Sequence, residues 1–297
     1  MTSNPFITKL GFSENDRVVI FHADDVGMCQ ASIQAYEDLF DFGTLTSGAI
    51  MVPCPWFPAA ADIQRRIPDA DLGAHLVLTS EWQFYRWRPL TARLTESTLV
   101  DAEGFFPRTD LEIHERGDPD EAMVELEAQI QRALAFGIDL THADMHMAAI
   151  SHPKFVPGYI QLVSKYQLPP LIPHGDLDMY KSFGVDEATY EMIAAMTAYL
   201  EGQRIPMVDF AMGLPLDAPN GQLELAGKMI GELKPGLTHF IIHPSIDTPE
   251  LRAITPDWEC RVANYNVFLS GEFKKHLERE GIKLIGYRAV RDAMRGA

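Results

Sequence analysis

Short apolar runs and longer segments with helical spacing alternate along almost the whole chain. Residues 18–21, Val-Val-Ile-Phe, are a continuous apolar run that predicts a short strand buried on both faces. Further strands are predicted at 47–52, stopped by Pro53 and Pro55, and at 71–78, 140–147, 171–174, 207–212, 238–243 and 283–287. Helical spacing covers 31–42 up to Gly43, 58–66, 121–136 up to Gly137, 155–166 after Pro153, 187–200 and 222–233. The stretch 257–280 is also helical, with a break near Ser270-Gly271. Seven or eight strand–helix alternations without a run of hairpins predict an α/β fold with a parallel sheet. A closed or slightly irregular (β/α) barrel of seven to eight parallel strands fits best, as one domain over residues 1–297. A doubly wound open sheet ranks second, because no Gly-x-Gly-x-x-Gly follows the first strand.

One segment breaks the alternation. Residues 79–117 carry Trp82, Phe84, Tyr85, Arg86, Trp87 and Arg88, then Phe105-Phe106-Pro107, and are too long for an ordinary connection. As a lid or binding loop, this insertion would suit sugar rings, whose C–H faces stack on aromatic side chains. A hydrophobic cluster beneath a long loop, or a homodimer interface, is the plainer use of the same residues.

A chain of 297 residues, 46% hydrophobic, holds ample material for a large core. A formal charge of −17 disfavours nucleic acid and anionic membranes as partners, since both need a basic footprint. No apolar run approaches the roughly 18 residues of a membrane span, and the N-terminus lacks the pattern of a signal peptide. Three scattered cysteines, with no Cys-x-x-Cys, indicate neither a disulfide framework nor a cysteine zinc site. The expected setting is cytoplasmic.

The chemistry concentrates at His22-Ala23-Asp24-Asp25-Val26-Gly27. Two carboxylates beside a histidine at the end of a buried strand must be paired or must hold a metal. Successive side chains on a strand point to opposite faces, so Asp24 and Asp25 can serve one site only where the strand ends or twists. The plainer reading makes Asp25 the N-cap of the following helix. His22, His75, His142, His146 and His243 all fall within or at the ends of predicted strands, where a barrel gathers its functional residues. His142 and His146 would lie ~13 Å apart on a regular strand, so one metal ligand is expected there. His146 is nearer the strand end and is preferred, with His142 and Asp144 in support. Asp25, His75 and His146 then form a two-histidine, one-carboxylate set that leaves coordination positions open, as a catalytic ion requires. Asp24 is placed to take a proton from water, and His243 to protonate a leaving group. A set of ordinary packed histidines is the alternative.

At these residues the sequence resembles the YdjC-like carbohydrate deacetylases, the family of chitooligosaccharide deacetylase. The resemblance rests on His-Ala-Asp-Asp-Val-Gly at 22–27, Leu-Thr-Ser-Gly-Ala-Ile-Met-Val-Pro at 45–53 and Leu-Gly-Ala-His-Leu-Val-Leu-Thr at 72–79. It continues through Glu127-x-Gln129-Ile130, Thr-His-Ala-Asp-Met-His at 141–146, Ile-Ile-His-Pro at 241–244, Arg261 and the closing Gly-Ile-Lys-Leu-Ile-Gly-Tyr. Val26, Met145 and Ala148 stand where the family usually has Phe, Ser and His. The resemblance implies a barrel-like α/β fold and one divalent metal ion, zinc or magnesium. Asp25, His75 and His146 would be its ligands, Asp24 the base and His243 the acid. The implied reaction removes an N-acetyl group from an amino sugar or oligosaccharide, with His142, Asp144, Trp82, Tyr85 and Arg261 on the substrate side. A metal-dependent sugar isomerase or lyase, or a non-catalytic sugar-binding protein, would use the same kind of site. Release of acetate separates these readings.

Overall fold

The computed structural model of the chain describes residues 4–91, 96–175, 177–182 and 187–296. Residues 92–95 of the expected insertion therefore lie outside the described residues. Among the described residues, seven parallel strands form one curled sheet: β1 (Arg17–Val26), β2 (Ser47–Ile50), β3 (Leu72–Leu76), β4 (Ala143–Met145), β5 (Phe210–Gly213), β6 (Gly236–Ile242) and β7 (Lys283–Leu284). The hydrogen-bonded order is β4-β3-β2-β1-β6-β5, with β7 beside the first half of β1. The sheet is a half-barrel of six to seven strands. The strand expected at 171–174 is reduced to two isolated parallel bridges, Pro170 to Ala143 and Pro173 to Val208. Pro169, Pro170 and Pro173 lack backbone donors here, and a ladder cannot run through them.

β1 explains the arrangement of the rest. Val19, Phe21 and Ala23 face outward into the main core, where Phe21 packs edge-on against Phe240 and Phe268 at 5.4 and 4.9 Å between ring centroids. Val18 and Ile20 face inward and join a small cluster with Leu237, Tyr287 and Val290. Alternation then puts His22 and Asp24 on the same inward face. The inside of the curled sheet is thus apolar at the start of the strands and polar toward their ends.

Helices cover the outer face, and their ends follow local chemistry. The helix Gln30–Phe42 stops at Gly43, whose φ of +83° suits a residue without Cβ. Asp118 caps the helix Pro119–Ala135 through a bond from the Glu121 N–H. Ser270 begins a new helix, Gly271–Arg279, at the break expected from the sequence after Trp258–Phe268. A further helix, Tyr287–Arg295, was not anticipated; its Tyr287 plugs the inside of the sheet.

The aromatic insertion does not form a separate layer. Trp82, Trp87, Leu99 and Phe106 are buried in the main core. Glu125 ties the segment down by accepting bonds from Leu90 N–H at 3.0 Å, Thr91 N–H at 2.9 Å and the Thr91 hydroxyl at 2.6 Å. Among the described residues, no helix is long and apolar enough to cross a membrane.

Candidate metal centre

Asp24 and Asp25 reach one site because β1 is irregular where they stand. The pairing with β2 runs His22 to Ser47 and Ala23 to Gly48, then Val26 to Ile50, so β1 holds one extra residue between the last two pairs. Asp25 takes a left-handed φ of +61° within this bulge. Bulges re-aim side chains, and here Asp25 turns toward its neighbour's side of the sheet. The helix cap expected as an alternative is absent from this position, since the next helix begins after Cys29.

Asp25, His75 and His146 converge. Oδ1 of Asp25 lies 3.4 Å from Nε2 of His75 and 3.1 Å from Nδ1 of His146. All three residues are buried, and their ligand-type atoms lie within 4.8 Å of one another. Oδ1 of Asp25 is nevertheless buried without a well-directed hydrogen bond. Two imidazole nitrogens and a carboxylate oxygen brought together, with that oxygen orphaned, fit a divalent cation.

The surrounding groups hold these three in place. Nδ1 of His75 lies 2.8 Å from Oδ1 of Asp144, which leaves Nε2 facing Asp25. Nε2 of His146 lies 3.0 Å from Oε2 of Glu81, which leaves Nδ1 facing Asp25. Carboxylates behind both histidines fix the rings and the tautomers in the manner usual for metal-ligating imidazoles. Arg261 donates to Oδ2 of Asp25 at 2.7 Å, is itself held by Asp257 at 2.7 Å, and lies over the ring of Trp82 at 5.5 Å.

Charge follows this geometry. Burial pushes the Asp25 carboxyl up, but His146 and Arg261 outweigh it and hold it well below the usual carboxylate range. Burial opposes protonation of both histidines, yet Asp144 and Asp24 hold His75 well above its ordinary value. Glu81 and Asp25 likewise raise His146 to about 9.

Asp24 borders the cluster from the inner face. Its Oδ1 lies 2.7 Å from Nδ1 of His22. Its Oδ2 faces Nε2 of His75 at 3.9 Å and Nε2 of His243 at 3.8 Å. His243 follows the end of β6; its backbone N–H donates to Oδ1 of Asn264 at 2.8 Å, and burial pushes its imidazole pKa down.

The other expected site residues have different places. His142 is fully buried, stacked on Tyr287 at 4.0 Å between centroids and 2.7 Å from Nε2 of His22. It cannot touch a substrate there, because the ring lies under β3 and fills the space that Gly73 leaves open. Asp144 is likewise sealed behind His75. Trp82 is buried beneath Arg261, and half-buried Tyr85 donates its hydroxyl to the Met28 carbonyl. Phe84, next to Tyr85, is 84% exposed.

Glu81, His239 and Asn264 were not anticipated. Glu81 opens the aromatic insertion six residues after His75, so its position beside the histidine strand was the available signal. His239 shares a strand face with Ile241 and His243 by the two-residue period. Nothing local marks Asn264, which lies on a helix.

A family model described as YdjC-like protein matches residues 18–279. A carbohydrate deacetylase of Thermus thermophilus is 34% identical over 281 residues, covering 94% of this chain and 95% of its own length. A carbohydrate deacetylase of Thermoanaerobacter pseudethanolicus is 25% identical over 275 residues, covering 93% of this chain and all of its own. A crystal structure from Enterococcus faecalis V583 superimposes with a TM-score of 0.74 at 23% identity, covering 93% of this chain and 99% of that one. With a family match spanning β1 to the penultimate helix and a relative of this identity over nearly its full length, the chain belongs to the YdjC-like protein family.

Proposed function

We propose that this protein is a divalent-metal-dependent carbohydrate deacetylase that hydrolyses the N-acetyl group of an amino sugar or oligosaccharide. The observation that carries the reading is the convergence of Asp25, His75 and His146 on one orphaned carboxylate oxygen. Relatives named carbohydrate deacetylases over nearly the whole chain give the reaction class.

Asp25, His75 and His146 would hold the cation. Bound there, a divalent ion supplies Lewis acidity toward the acetyl carbonyl and toward water. Among the described residues, Oδ2 of Asp24 has His75 and His243 no nearer than 3.9 and 3.8 Å, and it accepts the proton that the attacking water loses. His243 stands 3.8 Å away, neutral at neutral pH because of its burial, and can receive that proton. It then delivers the proton to the amine nitrogen as the C–N bond breaks, so that acetate and a free amine leave. Arg261 neutralises Oδ2 of Asp25, and Trp82 under it shields the pair from water. Tyr85, whose ring lies 6.1 Å from Trp82 and 6.0 Å from Trp87, offers an aromatic face on which a sugar can stack.

The test is acetate release from N-acetylated mono- and oligosaccharides, by protein stripped of metal and then reloaded with Zn²⁺, Mg²⁺, Mn²⁺, Co²⁺ or Ni²⁺. Acetate that appears only after reloading is the expected result. A reloaded protein that binds these sugars and releases no acetate would overturn the reading in favour of a binding role. Isomerised sugar without acetate would favour an isomerase.

A further inference from the structure

The chain leaves His146 through backbone that most residues avoid. Among the described residues, Asp25, Met147, Ala148, Gln167 and Arg204 take a left-handed φ without being glycine. Gln167 and Arg204 stand just past the ends of helices, where that conformation is routine. Asp25 belongs to the candidate metal centre, and the other two adjoin it. Met147 and Ala148 are consecutive, with φ of +52° and +51°, and follow His146 directly. Apart from Asn and Asp, residues with a Cβ rarely enter this region.

Two disfavoured residues in a row persist only where their surroundings dictate them. Here the turn is held from both ends. Before it, Nδ1 of His146 lies 3.1 Å from Oδ1 of Asp25, and its Nε2 lies 3.0 Å from Oε2 of Glu81. After it, buried Ala149 donates its N–H to the His146 carbonyl at 3.1 Å, and its own carbonyl accepts from Nε2 of His114 at 2.9 Å. The Ser151 N–H donates to the Ala148 carbonyl at 2.9 Å. Met147 and Ala148 themselves are exposed, and Sδ of Met147 rests on the Thr79 hydroxyl at 3.5 Å. Burial of their side chains therefore does not explain the turn. The groups it connects do.

We propose that Met147 and Ala148 are positioning residues, whose left-handed turn folds the chain back between His146 and Ala149 and so fixes the backbone from which His146 holds Nδ1 toward Asp25. This role rests on Asp25, His75 and His146 binding a cation, and it adds two residues outside that set. Affinity for the cation then follows how readily position 148 turns left-handed. Because Ala148 is exposed, a larger side chain there has room, and a substitution acts through the backbone.

The test is Co²⁺ binding to metal-stripped protein, read by the visible absorption of the bound ion and by competition with a chelator, in a series at one position. Ala148→Val, whose branched Cβ is the worst fit to a left-handed residue, should weaken binding by about 10-fold and shift the visible bands as His146 loses its aim. Ala148→Asn, larger than alanine but tolerant of the conformation, should bind no more weakly than the parent. Ala148→Gly should also bind as the parent does, and should raise the thermal midpoint of the metal-free protein by about 1–3 °C. Should Ala148→Val not fold, Ala148→Leu replaces it, expected about 3-fold weaker than Ala148→Asn. Ala148→Val with the parent's affinity and bands, Ala148→Asn as weak as Ala148→Val, or a lower midpoint in Ala148→Gly overturns the proposal. A parent that takes up no Co²⁺ overturns it together with the metal-dependent reaction. A parent that releases no acetate, in a series that still binds Co²⁺ in the expected order, supports the turn and refutes only the deacetylase reading.

Discussion

At the scale of single residues, the centre is organised by what stands behind each side chain that would hold the cation. His75 and His146 each place one ring nitrogen toward Asp25 and the other against a carboxylate, Asp144 or Glu81. Glu81→Gln should keep the fold and weaken metal binding by about 10- to 100-fold, measured by competition with a chelator. Asp25→Ala and His75→Ala should each lose metal, because each removes one of the three donors that converge there. Asp24→Asn should retain metal and lose about 10²-fold or more in acetate release, the scale of a general base. An Asp24→Asn protein as active as its parent would remove Asp24 from that role. Part of this was legible in the sequence: His75, His146 and Asp25 stood out as polar residues ending apolar runs. Glu81 was passed over, because a long loop carries no period to read and only its place six residues after His75 could have marked it.

At the scale of elements, the bulge in β1 and the inward face of β3 decide what the site can hold. Without the left-handed Asp25 and the extra residue opposite Gly48–Ile50, Asp24 and Asp25 would point to opposite faces. On β3, Gly73 leaves room for the His142 ring, and a Cβ there would come within 2.4 to 2.6 Å of it. Gly73→Ala should therefore destabilise the protein by about 1–3 kcal/mol as an overpacked interior, read as a lower thermal midpoint. The same crowding should disturb the His22–His142 contact before it disturbs Asp25, His75 and His146. The aromatic insertion belongs to this scale too: Trp87 packs 6.0 Å from His146 while Glu125 anchors the loop from below. Its composition marked it as unusual, but only the contacts show that Trp82 supports Arg261 and is no longer free to stack on a sugar.

For the whole molecule, the half-barrel brings residues of β1, β3, the turn after β4, the end of β6 and the helix Trp258–Phe268 to one end and buries their charges together. The metal-free protein then depends on protons. His146, raised to about 9 in the folded state from an unfolded value near 6.5, binds its proton more tightly when folded. The resulting stability is fully present below pH ~6.5 and is lost as pH rises through about 9, on the order of 3 kcal/mol. Loading with metal displaces that proton and should flatten this part of the pH–stability curve. Denaturant unfolding of stripped and loaded protein between pH 6 and 9 checks both statements; identical slopes would contradict them. The sequence by itself determined the alternation of strands and helices, hence the parallel sheet, and the residue types at strand ends, because hydrophobic periodicity and chain punctuation are local. It also carried the motifs of the family. Only the tertiary structure decided that Asp24 and Asp25 share a site, that His142 lies inside the sheet and that Glu81 backs His146. It also reduced the expected strand at 171–174 to isolated bridges. These outcomes depend on a bulge, a curl and close packing between segments far apart in the chain, and no local pattern encodes such distances.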